Sequence, residues 1–296
     1  MKALITGGAG FLGRHVVAEF LKHGAFVWAL DNFEPHCGGD GSSPEYTIDV
    51  AHYAAVEATI ADLKPDTIIH LAAYGRNLSC QDFPQRAWEV NVDGTHNVLE
   101  IARLNPDIVK RVVVCSSNIT LSDVATTYKM TKLIDERLIE LYAEMGVSVM
   151  GLRPSNICGT GQSRTEYQPC AMAGMDIGFA KNGHFSITGD GTQARDFVNA
   201  KDVARAFWLA ATSDAKGFTV DVCTGKLTSL NEIVQILGVP VKYVDPRPGD
   251  AKVLISDPGP AKEVLGFSAE IDIVQTLADS FPTVMEQKCR STPSSS

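Results

Sequence analysis

The stretch ALITGGAGFLGRHVVAEFL, residues 3–21, decides the fold. Ala3 to Thr6 is a short apolar run, GGAGFLG follows it, and apolar residues then recur at helical spacing, which reads as strand, tight turn and helix. Glycine adopts backbone angles closed to other residues and lets a phosphate approach the amides at a helix start, so Gly7, Gly10 and Gly13, with Phe11 and Leu12 between them, form a pyrophosphate seat. Glycine-rich turns also occur as plain connections, and the next element separates the two readings. FVWALD, residues 26–31, is a second strand that ends in a carboxylate 18 residues beyond Gly13, where an acid accepts hydrogen bonds from an adenosine ribose. Asp31, with Asn32 beside it, would repel a 2'-phosphate, and no arginine follows immediately, so NAD is favoured over NADP.

The rest of the chain fits one large α/β unit. TIIHLAA (67–73), RVVVCSS (111–117) and VSVMGLRP (147–154) suit buried parallel strands, and GTHNVLEIARL and KLIDERLIELYAEM suit the helices between them. The expected fold is a doubly wound, Rossmann-type parallel sheet with ligands beyond the carboxyl ends of its strands. That points to Asp31, Ala72, Ala73, Ser116, Ser117 and Pro154. A net charge of -9 argues against a general grip on nucleic acid. Seven scattered cysteines without CxxC spacing read as reduced thiols, no apolar run reaches membrane-spanning length, and the chain reads as cytoplasmic. The histidines show no metal-ligand spacing: His70 reads as a packed strand residue, and no metal site is expected.

Tyr128 and Lys132, in YKMTK, stand one helical turn apart and share a face. A tyrosine with a reference pKa of about 10 is a poor base. A nearby ammonium favours the phenolate, and the positive charge of an oxidised nicotinamide acts in the same direction. Tyr128 is therefore a candidate to take the proton from an alcohol whose carbon gives up a hydride. In isolation the pair reads as a solvated helix face; behind a dinucleotide seat and a strand ending in Ser116-Ser117 it reads as a catalytic pair.

GGAGFLG, LDNF, HLAAY, NVDGTHNVLE, VVVCSS, YKMTK, LRPSNICG, GDGTQARDFVNAKDVARA and PRPGD, in that order and spacing, resemble the extended short-chain dehydrogenase/reductase superfamily. The likeness is to its nucleotide-sugar epimerases and dehydratases and covers nearly the full length. It implies that Asp49 and Val50 flank the adenine and that Leu71, Ala72 and Ala73 wall the cofactor groove, with Ser116 and Pro154 at strand ends beside it. It further implies that Asn91 braces the active-site helix, that Tyr74 and Asn156 meet the substrate, and that Arg195 and Arg247 clamp the nucleotide diphosphate. A homodimer built on the helices after NVDGT and YKMTK is also implied.

Two departures bear on the reaction. In CSSNIT the place expected to hold the hydroxyl that meets the reacting oxygen is taken as Asn118; either its amide serves, or Ser117, Ser116 or Thr120 supplies a hydroxyl, Ser117 being favoured. Only nine residues separate Asn118 from Tyr128, so the excursion that helps enclose the sugar in the resembled enzymes is missing. The positions where a 4,6-dehydratase carries an aspartate and a glutamate are read as Ile119 and Thr120, which disfavours dehydration. Asp31 disfavours an NADPH-linked ketosugar reductase, and a non-catalytic NAD-binding regulator would have no use for Tyr128 and Lys132. The expectation is an isomerase: a redox-neutral, NAD-dependent epimerase of a nucleotide-diphosphate sugar, working through C4. Its domains are expected at 1–168, completed by about 194–224, for NAD, and at 169–193 and 225–285 for a loop-rich substrate lobe, with 286–296 as a flexible tail.

Overall fold

The computed structural model describes residues 1–32, 46–162, 170–245 and 254–291. Seven parallel strands form one sheet in the order Thr219–Val222, Val149–Pro154, Arg111–Cys115, Thr67–His70, Lys2–Thr6, Phe26–Asp31, Tyr46–Thr47. The chain runs outward in one direction from Lys2–Thr6 and then in the other, so a crevice opens beyond the ends of Lys2–Thr6 and Thr67–His70. Successive side chains of a strand face opposite sides, and here both sides are apolar. Ala3 and Ile5 pack with Val16, Phe20, Val203 and Phe207 on one face, whereas Leu4 packs with Val56, Ile60, Leu99 and Ile139 on the other. This is the doubly wound sheet expected from the sequence.

The strands leading into the crevice are shorter than their apolar runs. Thr67–His70 stops before Leu71 because the Leu71 amide bonds back to the Thr6 carbonyl (3.1 Å) and the Ala72 amide to Thr6 Oγ1 (3.2 Å), which bends the chain across the crevice floor. Arg111–Cys115 likewise ends before Ser116.

Outside the main sheet, Asn156–Cys158, Ala194–Asn199 and Leu227–Ser229 form a three-stranded sheet, and Phe185–Thr188 pairs with Val241–Val244. Ser229 caps the helix Leu230–Leu237 reciprocally with Glu232, at the helix start that the sequence signals. One expectation needs correction. The segment after Pro169 is not loop-rich: Ala171–Asn182 is a helix closed by left-handed Gly183, because Met172 and Phe179 join Phe185, Phe281 and Val284 in a core of their own. Towards the end of the chain, Pro282–Ser291 is a helix whose Val284 is buried and whose Thr283 hydroxyl donates to Asp176 at 2.9 Å, while Glu286 to Cys289 are exposed. No helix among the described residues is long and apolar enough to cross a membrane.

The first helix, Phe11–Lys22, lies so close to the turn that a Cβ on Gly13 would stand 2.0 Å from the Gly7 carbonyl oxygen. Gly13→Ala is expected to cost about 1–3 kcal/mol of stability by overpacking. Denaturant unfolding reads this as a lower midpoint at unchanged slope, and an unchanged midpoint would contradict the packing.

Candidate active site

Gly7 has φ +69°, and a Cβ there would meet the Ala72 amide nitrogen at 2.7 Å. Gly10 caps the first helix without a side-chain hydrogen bond, so the first-turn amides face the crevice and suit a pyrophosphate. The Asp31 carboxylate accepts from the Ala9 amide at 3.1 Å, which sets it at the rim of the same turn. Asn32 follows it at the strand end. Across the crevice, Val50 is buried against Gly94, and its carbonyl accepts from Asn97 Nδ2 at 3.0 Å. Asp49 accepts from the Ala51 amide and is ion-paired with Arg86, a residue the sequence reading did not single out.

Thr126 caps the helix Thr127–Glu144 by accepting from the Lys129 amide at 3.2 Å, which brings Tyr128 and Lys132 onto its inner face. Both line a cavity of 470 Å³ together with Phe11, Leu12, Leu71 and Ala73. Lys132 Nζ donates to the Cys115 carbonyl and to Asp135 Oδ2, each at 2.9 Å. Asn91 is fully buried: its Oδ1 accepts from the Tyr74 amide at 2.7 Å and its Nδ2 donates to Thr131 Oγ1 at 3.0 Å, tying the crevice floor to the helix beside Lys132. Burial pushes the Tyr128 phenol above its ordinary pKa, with Lys132 and the nearby Ser117 opposing. The ammonium alone therefore does not yield a phenolate, contrary to the simplest reading of the pair.

The end of the strand Arg111–Cys115 sorts its hydroxyls. Ser117 lies beside Tyr128, with its Oγ accepting from the Ile119 amide at 3.3 Å. Ser116 Oγ donates to Glu136 Oε1 at 2.5 Å and Thr120 Oγ1 lies 3.2 Å from the same oxygen, so both point to Glu136. Glu136 is in turn held by Arg153, which also pairs with Asp221. Asn118 is buried, and its Nδ2 finds no hydrogen-bond partner among the described residues.

Other expected contacts lie further out. Pro154 is buried at the end of its strand, Asn156 Nδ2 donates to the Asp196 carbonyl at 3.3 Å, and Tyr74 is buried against Cys80 and Ala87 instead of lining the cavity. Arg195 lies on the strand Ala194–Asn199 with Nη1 donating to the Ala194 carbonyl. Arg247 falls outside the described residues. The cavity wall instead holds Arg76, Asn77, Leu78, Cys115 and Cys170, none of them singled out from the sequence. Arg76, Asn77 and Leu78 follow HLAAY and Cys115 opens CSS, whereas Cys170 has no such signal in the sequence.

Comparison with known proteins meets this geometry from another side. The profile of the NAD dependent epimerase/dehydratase family matches residues 3–223. The chain belongs to that family. A relative described as a putative UDP-glucose 4-epimerase of Methanocaldococcus jannaschii is 30% identical over 299 residues, covering 93% of this chain and 95% of the relative. UDP-glucose 4-epimerase from Thermotoga maritima, solved with UDP-glucose, superposes with a TM-score of 0.86 at 25% identity, covering 97% of this chain and all of that one. The Thermus thermophilus UDP-glucose 4-epimerase, solved with NAD, gives 0.80 at 25% identity, covering 96% and 99%.

Within this family member, His70 links the turn to the active-site helix. Its Nδ1 lies 2.8 Å from Thr6 Oγ1, and its Nε2 lies 3.2 Å from Thr95 Oγ1, a hydroxyl that itself donates to the Asn91 carbonyl at 2.6 Å. Thr95 therefore accepts from Nε2–H and Thr6 donates to Nδ1, which defines a neutral ring. Burial, with Lys132 acting in the same direction, lowers the His70 pKa from 6.5 to about 3. Below pH 6.5 the unfolded chain takes up a proton that the folded one refuses, so stability is present above that pH and is lost as pH falls towards 3. This group is expected to contribute a slope of about 1.4 kcal/mol per pH unit in that window. Chemical denaturation of wild type and His70→Gln between pH 7 and 4.5 checks this, the variant showing the shallower loss.

Proposed function

We propose that the protein is an NAD-dependent epimerase of a nucleotide-diphosphate sugar, oxidising the sugar transiently at C4 and restoring hydrogen on the opposite face. The observation that carries this is that Tyr128 and Lys132 share one cavity with the glycine turn. When bound, NAD supplies a reversible hydride acceptor that ends each turnover unchanged. Gly7, Gly10, Phe11, Leu12 and Gly13 hold its pyrophosphate, Asp31 and Asn32 its adenosine ribose, and Asp49 and Val50 its adenine. Leu71, Ala72, Ala73, Ser116 and Pro154 shape the groove, and Asn91 braces the helix carrying the pair.

Tyr128 takes the proton from the C4 hydroxyl and returns it when the ketosugar is reduced. Ser117, beside Tyr128, hydrogen-bonds the same oxygen in preference to Asn118. Lys132 orients the nicotinamide ribose and stabilises the phenolate. With Ser117 in that place the two following residues are Asn118 and Ile119, neither an acid, and the nearby carboxylates Asp135 and Glu136 are both in ion pairs. Isomerisation is thus favoured over dehydration whichever register is used. Asn156, Arg195 and Arg247 meet the nucleotide diphosphate. Arg76, Asn77 and Leu78 bound the sugar end where the excursion before Tyr128 is missing.

The NAD-binding domain is 1–168, completed by about 194–224, and the substrate lobe comprises the segments from 169 and 225, extended by the terminal helix to 291. The working form is a cytoplasmic homodimer. Leu104 and, on the active-site helix and its end, Met130, Leu141 and Met145 are each more than 40% exposed, which supports an apolar helix-on-helix contact. Sedimentation at micromolar concentration is expected to give twice the monomer mass, and a monomer alone would contradict this.

Incubation with NAD and a panel of UDP-, dTDP-, GDP- and CDP-sugars, followed by chromatography with mass detection, is expected to give a product of unchanged mass and shifted retention. Loss of water would mean dehydration, and release of NADH would mean a dehydrogenase. Tyr128→Phe is expected to slow turnover more than tenfold, within the range that general acid–base groups contribute.

A further inference from the structure

The reactive lysine is not a lone charge. Lys132 and Asp135 sit three residues apart on the inner face of the active-site helix, with side chains 5% and 0% exposed and Nζ 2.9 Å from Oδ2. Of the three ammonium donors, one goes to this carboxylate and one to the Cys115 carbonyl, leaving one for the cavity. Asp135 does not itself line the cavity, so it reaches the reaction only through Lys132. An aspartate in a helix interior, removed from water, gains nothing in helix propensity and carries a desolvation cost that pushes its carboxyl above the usual range, opposed chiefly by the Lys132 ammonium and also by Thr95.

Its neighbourhood contains little other charge. Cys115 on the strand before Ser116 and Cys80 on the helix Asn77–Asp82 are thiols that burial pushes up to about 11. His70 on its strand is neutral, Glu136 on the same helix is paired with Arg153, and Arg76 lies across the cavity wall. The charged group set against Tyr128 is thus Lys132, and Asp135 is the carboxylate paired with that lysine.

We propose that Asp135 is a positioning residue for the reaction: its carboxylate fixes Lys132 Nζ and offsets the ammonium charge, so that Tyr128 remains a phenol until a second positive charge enters the site. That second charge is the oxidised nicotinamide, so the inference rests on Tyr128 being the base. The base is then armed when the cofactor can accept hydride and disarmed when it cannot. This suits an enzyme that must keep its ketosugar intermediate and reduced cofactor together.

The test is a phenolate absorbance titration at 295 nm of protein loaded with NAD or with NADH, using Tyr128→Phe to subtract the other tyrosines. In wild type, Tyr128 is expected to titrate above the ordinary tyrosine range with NADH and lower with NAD. Asp135→Asn is expected to lower the NADH-loaded value by about one unit, a tenfold larger phenolate fraction at a given pH. The acid limb of kcat/KM is expected to move down by the same amount. A folded Asp135→Asn protein whose Tyr128 titration is unchanged overturns the proposal, whatever its rate. Should that variant not fold, the wild-type titration decides: a value below about 9 with NADH means an uncompensated ammonium and overturns it too. The titration needs no sugar, so it tests the role of Asp135 even in a protein inert towards the whole panel.

Discussion

The close approach of the first helix to the glycine turn is the contact on which the crevice depends. Gly13 has no Cβ to strike the Gly7 carbonyl, so the helix starts immediately beyond the first strand with its amides facing the sheet's switch point. From there a chain of hydrogen bonds leads to the reactive pair. Thr6 gathers the Leu71 and Ala72 amides and reaches His70, His70 reaches Thr95, and Thr95 bonds to Asn91. Asn91 then joins the Tyr74 amide and Thr131, one residue before Lys132. A displacement at the turn would pass through these buried polar groups, each of which is costly to leave unpaired.

Electrostatically the titratable groups beneath the cavity are buried, and the carboxylates around them are paired. Burial keeps the thiols of Cys80 and Cys115 protonated, His70 neutral and Tyr128 a phenol. The carboxylates that could disturb this are held by cations: Glu136 and Asp221 by Arg153, Asp135 by Lys132, Asp49 by Arg86. In such surroundings a small change in local charge has a large effect on the phenol, since solvent screening is weak. Chemistry at the tyrosine is then set by what occupies the cavity more than by bulk pH.

Much of the fold and half of the site were legible in the residue pattern. Runs such as ALIT and RVVVC are apolar on both faces and therefore belong inside a parallel sheet, and GGAGFLG followed by Asp31 marks the dinucleotide crevice by local chemistry alone. Tyr128 and Lys132 were visible because their spacing is a property of a single helix. The helix Ala171–Asn182 was missed because its apolar residues have weak periodicity and are ordered by Phe185 and Phe281, which are distant in sequence or lie on another element. The terminal helix was missed for the same reason: Val284 is anchored by a core that the local sequence does not display.

The sequence by itself determined the sheet, the glycine turn, the carboxylate that ends the second strand and the pairing of Tyr128 with Lys132 on one helix face, because each depends on neighbours within one strand–turn–helix unit or one helical turn. Only the tertiary structure decided that Ser116 and Thr120 turn to Glu136, which Arg153 holds, while Ser117 does not. It also decided that Asp49 pairs with Arg86, that Arg76 and Cys170 wall the cavity, and that Asp135 is buried against Lys132 rather than solvated. The physical reason is common to all of these: a side chain's partner and dielectric surroundings are set by segments that folding brings together, and spacing along the chain carries no record of them.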